Sequence, residues 1–302
     1  MELRQLRCFV KAAQCLNFTE AAKAVCVNQS SFSQSIKQLE EELKVTLFHR
    51  NTHEIALTQA GHELLPYALK VLQQTDNCVN RMNDLLEMRC GTLNIGVTHS
   101  FNIVLSETLQ KFLKAYPGIK VNIFYKTMSE LMELLIKREV DFVLSYRPFG
   151  GEYPQVTSHT LFEDRLSVIL PADHELAKRE SVKLADLAKY PMALPSEGLH
   201  AREVLKRILS KTDVKLDVRV QLDQVSPLLG LVRSGMLITV LSGTTVELEK
   251  DLVAIPIDAE GNRMEGSCQM LKEDYRKEAA KEFVRILSET SVVRNMISGW
   301  FK

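Results

Sequence analysis

Between Phe18 and Leu43 the chain reads FTEAAKAVCVNQSSFSQSIKQLEEEL, and this stretch restricts the fold more than any other. Ala21, Ala22 and Val25 give a small, flat apolar face at helical spacing, suited to a helix that another must cross closely. Thr19 is placed to cap that helix. Val27-Asn28 breaks the pattern, since Asn tolerates the turn or left-handed geometry that a sharp reversal needs. A second helix runs from about Gln29 to Leu43, with Ile36, Leu39 and Leu43 on one face. Its first turn and opposite face hold Gln29, Ser30, Ser31, Ser33, Gln34 and Lys37. Short hydroxyl and amide side chains with one base pack poorly. They suit a major groove, where Gln and Lys read base edges and Ser reaches phosphates. Taken alone, the segment also fits a helical hairpin with a solvated Ser/Gln face.

The flanks complete the unit. Leu3, Leu6, Phe9, Val10 and Ala13 line one face of a helix that packs under the other two. After Leu43, Leu47-Phe48 and Ile55–Leu57 read as short strands joined by a turn at Asn51-Thr52-His53, which makes Arg50 and His53 candidate phosphate or minor-groove contacts. Charge gives no support of its own: residues 1–60 carry seven Lys/Arg against six Asp/Glu, a net +1, and the whole chain is neutral. A protein held to DNA through phosphates alone would be far more basic.

Five blocks, MELRQLRCFV, LNFTEAA, NQSSFSQSIKQLEEEL, TLFHR and LTQAG, stand in that order over Met1–Gly61. This region resembles the winged helix-turn-helix of the LysR-type transcriptional regulators. The resemblance implies a recognition helix at Gln29–Leu43, a wing made of the two short strands and their turn with Arg50 and His53 as its contacts, and a partly symmetric double-stranded DNA site. In that family the positions of Gln34 and His53 are commonly basic and that of Glu54 is often Gly, so these departures imply weaker phosphate binding.

From Thr58 to Met88, Leu65, Leu72, Val79 and Leu86 recur every seven residues, with Ala68, Thr75 and Met82 between them. This is one long helix seeking a partner, about 37 Å for roughly 25 residues. Pro66 lies inside it and either kinks the helix or marks its true start. The resemblance places the linker and dimerisation helix here, so a homodimer or homotetramer is expected.

At Cys90-Gly91 the pattern changes. Leu93, Ile95 and Val97 alternate as a strand, and His99-Ser100 opens a helix carrying Leu105, Leu109, Phe112 and Leu113. Ile119–Tyr125 alternates again, Ser129 caps a further helix, and Val140–Leu144 is a third strand. Strand–helix–strand–helix–strand predicts a parallel sheet covered by helices. A second set follows: strands at Leu166–Leu170, Met192–Leu194, Val218–Leu222 and Leu237–Leu241, with helices around Ala185–Leu187, Val204–Leu209 and Pro227–Val232. The strand at Cys268–Leu271 and the helix with Ala279, Phe283 and Ile286 return to the first lobe. The expected fold is α/β: a winged helix-turn-helix over 1–58, a linker helix over 59–89, and a two-lobed, periplasmic-binding-protein-like (type 2) effector domain over 90–302. Lobe I would span 91–162 and 267–302, and lobe II 163–266.

In such a fold a ligand sits between the lobes, at strand C-termini and helix N-termini. The candidates by position are Thr98, His99 and Ser100 after the first strand, Thr127 after the second, Ser145 and Arg147 after the third, and Ser196 in the second lobe. Ser100 and Ser129 fit plain helix caps as well. As a set they favour a small polar or anionic effector, because free amides at helix starts attract negative charge.

Other functions find little support. No GxGxxG, phosphate loop, HExxH or GxSxG motif occurs, so neither catalysis nor a cofactor or metal is expected. Asp173-His174-Glu175 reads as a turn between strand and helix. The N-terminus lacks a signal-peptide core and no apolar run spans a bilayer, which points to a cytoplasmic protein with no membrane partner. The six cysteines, Cys8, Cys15, Cys26, Cys78, Cys90 and Cys268, form no C-x-x-C pair. Some LysR-type relatives switch through two cysteines, so a redox sensor using Cys268 and Cys90 is the alternative reading.

Overall fold

The structure is a computed structural model that describes residues 1–50, 55–85, 90–147, 153–247, 249–272, 275–291 and 293–294. It divides into two units, Met1–Met82 and Asn83–Lys302.

The first unit holds α1 (Leu3–Cys15), α2 (Phe18–Ala24), α3 (Gln29–Leu43), β1 (Phe48–Arg50), β2 (Ile55–Leu57) and most of α4 (Gln59–Leu85). Its core is aromatic. Phe18 lies 5.7 Å from Phe32 and 5.5 Å from Phe48, and Phe9 lies 5.6 Å from Phe48, between ring centres. Ala21 and Ala22 are buried, which lets α2 lie close to its neighbours, and Ile36 and Leu39 anchor α3. Leu43, expected on the same face, is exposed at the helix end.

The helix boundaries correct two details. Asn17, rather than Thr19, caps α2, its Oδ1 accepting from the amides of Thr19 and Glu20. The left-handed residue of the reversal is Cys26, at φ +56°. Asn28 keeps an extended backbone and caps α3 by accepting from the Ser31 amide at 2.7 Å. An Asn side chain reaching forward into a free helix end is worth more than its tolerance of the left-handed region.

β1 and β2 pair antiparallel, with Phe48 opposite Leu57 and Arg50 opposite Ile55. The expected turn at Asn51-Thr52-His53 lies outside the described residues. Glu40 ties this hairpin to α3, its carboxylate accepting from the amides of Leu47 (2.8 Å) and Phe48 (3.3 Å). Gly61, in the first turn of α4, faces the same point: a Cβ there would stand 2.3 Å from the Leu47 carbonyl oxygen. Pro66 lies within α4, which runs on unbroken from Gln59 to Leu85. Of the heptad positions, Leu65, Ala68 and Leu72 pack on the first unit's own core. Val79 and Met82 are more than half exposed, and Leu86 lies outside the described residues.

The second unit begins with β3 (Gly91–Val97), a 3-10 turn (His99–Phe101), α5 (Asn102–Ala115), β4 (Ile119–Tyr125), α6 (Met128–Ile136), β5 (Phe142–Tyr146) and β6 (Val156–Asp164). As alternation predicts, β3 pairs parallel with both β4 and β5. Gly96 admits α6 against β3, since a Cβ there would meet Leu131 at 2.8 Å. Thr127, not Ser129, opens α6: its amide and hydroxyl both donate to the Glu130 carboxylate.

Across Arg165 follow β7 (Leu166–Pro171), a 3-10 turn (Glu175–Lys178), α7 (Leu184–Leu187), β8 (Pro191–Pro195), α8 (His200–Leu209), β9 (Asp217–Leu222) and α9 (Val225–Arg233). Then come β10 (Thr239–Ser242), a 3-10 turn (Gly243–Val246) and β11 (Leu252–Pro256). β12 (Met264–Leu271) and α10 (Glu278–Ser288) close the unit. The strands assemble in the orders β4-β3-β5-β12-β6, β10-β7-β11 and β8-β9, with a bridge from Met192 to Ile238 joining β8 to the run that enters β10. β12 thus returns to the first sheet, antiparallel to β5 and β6. Two strands, β6 and β11, were not expected from the sequence.

Glycine substitutions test this packing. Gly61→Ala must move backbone or Leu57 and should cost roughly 1–3 kcal/mol of first-unit stability. Gly230→Ala, inside α9 with nothing within 4 Å of its Cβ position, should add about 0.5–1 kcal/mol to the second. Urea midpoints of the two variants should move in opposite directions; a Gly61→Ala as stable as the parent would contradict the packing described.

Candidate functional sites

The first candidate surface is the N-terminal half of α3. Gln29, Ser30, Gln34 and Lys37 are exposed, while Ser31 and Ser33 are partly so. The Ser30 hydroxyl donates to Asn28 Oδ1 at 2.8 Å, so the cap also orders the first turn. Lys37 stands 3.7 Å from Glu41, an exposed pair of little strength that a phosphate can displace. Arg50 ends β1, and His53 lies outside the described residues. The acidic run behind this face is occupied: Glu40 holds the hairpin, Glu41 faces Lys37, and Glu42 meets the N-terminal ammonium. Glu40 and Glu42 are thereby engaged away from the exposed face, while Glu41 stays beside Lys37.

The second candidate is a 460 Å³ cavity in the second unit. One wall is the start of α5, with His99, Ser100 and Asn102; the other is the start of α9, with Gln224 and Ser226. α9 has no side-chain cap and no acid in its first turn, while the 3-10 turn that runs into α5 takes up the amides of Phe101 and Asn102, so the uncapped start on that side is His99-Ser100. Thr245 and Glu249 add to the rim. Glu249 is itself held by Arg233 at 2.5 Å, which offsets its charge. The volume suits a small metabolite.

The positions expected from sequence divide. His99 and Ser100 line the cavity, with the His99 ring stacked on Tyr125 at 5.1 Å. Thr127 lies on an adjoining stretch where the lobes approach: a Cβ at Gly198 would be 3.9 Å from its methyl group. Its hydroxyl is engaged by Glu130 at 2.7 Å. Ser196 borders the same loop, its amide donating to the Leu222 carbonyl. Thr98 is buried, and its Oγ1 has no hydrogen-bond partner. Ser145 is fully buried, donating to Gln269 Oε1 at 2.7 Å, so its hydroxyl serves the sheet. Arg147 pairs with Glu265 at 3.3 Å.

Sequence reasoning passed over Gln224, Ser226, Thr245 and Glu249. The signal for the first two was present, since they follow β9 as Thr127 follows β4. It also passed over His200, whose ring stacks at 4.9 Å on that of Tyr146, a residue the strand-end rule does reach. Burial and the charge of Arg207 push the His200 imidazole down to about 4. His174 caps the turn after β7, its Nδ1 accepting from the Leu176 amide, as a turn reading of that segment requires.

The thiols bear on the redox alternative. Cys268 is fully buried in β12, and burial pushes it up to about 12, which suppresses the thiolate that reacts with oxidants. Cys90 is exposed. Among the described residues no group of three or more His, Cys, Asp or Glu is placed to hold a metal ion, and no helix is long and apolar enough to cross a membrane.

Comparison with known proteins bears on both surfaces. Residues 3–62 match the bacterial regulatory helix-turn-helix proteins of the lysR family, and residues 87–291 match the LysR substrate binding domain. The chain is 28% identical over 262 residues to the RuBisCO operon transcriptional regulator of Allochromatium vinosum, covering 86% of each chain. Among solved structures, a full-length OxyR variant from Pseudomonas aeruginosa superposes with a TM-score of 0.69 at 21% identity, covering 97% of this chain and 95% of that one. Full-length CbnR complexed with its target DNA gives 0.58 at 23% identity, covering 96% and 99%. At these identities the two structures show a shared fold.

The buried imidazole makes stability depend on pH in a defined window. His200 takes up a proton near pH 6.5 when unfolded and near 4 when folded. Below 6.5 protons therefore favour the unfolded chain, so this contribution falls as pH drops from 6.5 to 4 and is gone below. The loss should be about 3 kcal/mol. His200→Phe keeps a ring on Tyr146 and removes the titration. Its Tm should fall less than the parent's between pH 7 and 4.5, and parallel curves would contradict this.

Proposed function

The chain belongs to the LysR family of DNA-binding transcriptional regulators, and we propose that it acts in the cytoplasm as a homo-oligomer whose grip on a partly symmetric operator is set by a small polar or anionic molecule. In this reading the chain divides at about residues 58 and 89 into DNA-binding, linker and effector-binding parts. The observation that carries the effector assignment is the cavity lined by the uncapped starts of α9 and of the 3-10 turn leading into α5. A carboxylate or polar oxygen placed there would be met by free amides from both sides. The buried, high-pKa Cys268 gives the redox alternative no such support.

On the DNA side, Gln29 at the first position of α3 reads a base edge. Ser30, Ser31, Ser33, Gln34 and Lys37 hold phosphates or adjacent bases, and Arg50 and His53 carry the wing contacts. Oligomerisation follows from α4. The half of its heptad stripe that its own unit leaves open, Val79 and Met82, needs a partner helix to be buried. Sedimentation should give at least twice the chain mass, and a monomer at micromolar concentration would refute this part.

Gln29→Ala should cost roughly 1–3 kcal/mol of operator binding and relax selectivity at one base pair. Lys37→Ala should weaken binding evenly across sequences and flatten the salt dependence. If Gln29→Ala bound as tightly and selectively as the parent, α3 would not be the reading helix.

For the effector, a thermal-shift screen of carboxylates and other small metabolites against the full chain should expose one that stabilises it, by about 2.7 kcal/mol near one hundred times its Kd. Ser100→Val should abolish that shift and leave operator binding intact. An effector that binds Ser100→Val undiminished would place the site elsewhere.

A further inference from the structure

Tyr146 ends β5 in the first sheet and is 1% exposed. Its hydroxyl donates to Asp164 Oδ2 at 2.6 Å. Asp164 is the last residue of β6, where the chain leaves the first lobe. The same Oδ2 accepts from the Thr244 hydroxyl at 2.8 Å, and Oδ1 accepts from the Arg165 amide at 2.7 Å. Thr244 belongs to the 3-10 turn after β10, in the second lobe. One carboxylate at the crossing thus joins a hydroxyl from each side. The turn comes this close because residue 243 is glycine: a Cβ there would stand 3.3 Å from Asp164 Oδ1 and 3.2 Å from Ser167 Oγ.

Two features extend the reach of this connection. The next turn residue, Thr245, lines the cavity and shares a 2.8 Å hydrogen bond with Ser242. On its other side, the Tyr146 ring stacks on His200 at an interplanar angle of 18°. His200 starts α8, directly after the loop whose Gly198 meets Thr127. One first-lobe side chain therefore touches two second-lobe elements, the turn whose next residue lines the cavity and the start of α8. Other buried polar groups lack this reach: Ser145, Gln269 and Ser267 bond within the first sheet, and Lys277 with Asp141 stays in the first lobe.

We propose that Tyr146 is a positioning residue for the effector cleft. Through the Tyr146–Asp164–Thr244 hydrogen bonds and its stack on His200, it sets the angle between the lobes and so the width of the ligand site. This rests on the reading of that cleft as the effector site. Buried apolar side chains run continuously from one lobe into the other and hold them together without fixing direction; the hydrogen bonds add the directional contact that selects one lobe angle. A partly buried hydroxyl–carboxylate bond is charge-assisted and directional, so it can favour one arrangement. Burial and the Asp164 charge hold the phenol well above its ordinary pKa, so it stays a donor wherever the chain is folded.

The test needs no ligand. Spin labels carried by ketone-bearing residues at positions 114 and 211, one in each lobe, report the interlobe distance in the full chain diluted with unlabelled protein. Tyr146→Phe keeps the ring and deletes the hydroxyl; its distance distribution should widen about twofold. Thr244→Val, which deletes the other hydroxyl, should widen it in the same way and decides the matter if Tyr146→Phe does not fold. Thr108→Val, which removes an equally buried hydroxyl bonded within α5, should leave the distribution unchanged. Parent-like distributions in both strut variants, or equal widening in Thr108→Val, would overturn the proposal. A metabolite screen without hits would instead count against the effector reading, so the two failures are separable.

Discussion

The second unit depends on where β12 inserts. It lies between β5 and β6, antiparallel to both, so a chain that leaves the first sheet after Asp164 must come back at Met264 and enter its interior. That pairing creates two crossings and therefore two lobes with a cleft between them. It also fixes local chemistry. Gly266 pairs with Tyr146, and a Cβ at Gly266 would stand 2.5 Å from the Phe162 ring. The glycine lets Phe162 pack against Phe101 and Tyr146, and so holds the Tyr146 ring at the lobe boundary. Long-range strand pairing, tight packing and the polar connection to Asp164 converge within a few residues.

The first unit solves a different problem, presenting a polar helix face without letting it collapse onto the core. Asparagine caps at positions 17 and 28 start the two crossing helices cleanly, and Phe18, Phe32 and Phe48 anchor their inner faces. The acids at the end of α3 look unfavourable for a DNA-binding helix. Glu42 meets the N-terminal ammonium and Glu40 has a positive role in holding the hairpin, which leaves Glu41, beside Lys37, as the acid near that face. With so little net charge, affinity must come from hydrogen bonds and shape more than from counterion release.

How much of this could be read from sequence depended on whether a residue's role is local. α3 was legible to the residue because its period and flanking asparagine are local signals. The parallel β3, β4 and β5 were legible because alternation and intervening helices leave few topologies. β6 was missed, since in Val156–Asp164 mostly polar and partly exposed residues sit at a sheet edge and give no apolar alternation. The heptad was correctly seen as one helix, but not that Leu65, Ala68 and Leu72 are used by its own unit. The cleft was half legible. A strand-end rule found His99 and Ser100 but, applied to Ser145, picked a hydroxyl that the sheet consumes. Which strand-end hydroxyl faces the cavity is decided by β12 and α9, hundreds of atoms away in sequence.

In the proposed function, paired copies of α3 read DNA sequence. Selection from a random duplex library by the full chain, at physiological salt, tests it most directly. Paired recognition helices should enrich a partly symmetric sequence whose half-sites lie about one helical turn, or a multiple of it, apart, with the enriched positions lost in Gln29→Ala. Enrichment of no sequence, or of one insensitive to Gln29→Ala, would contradict it.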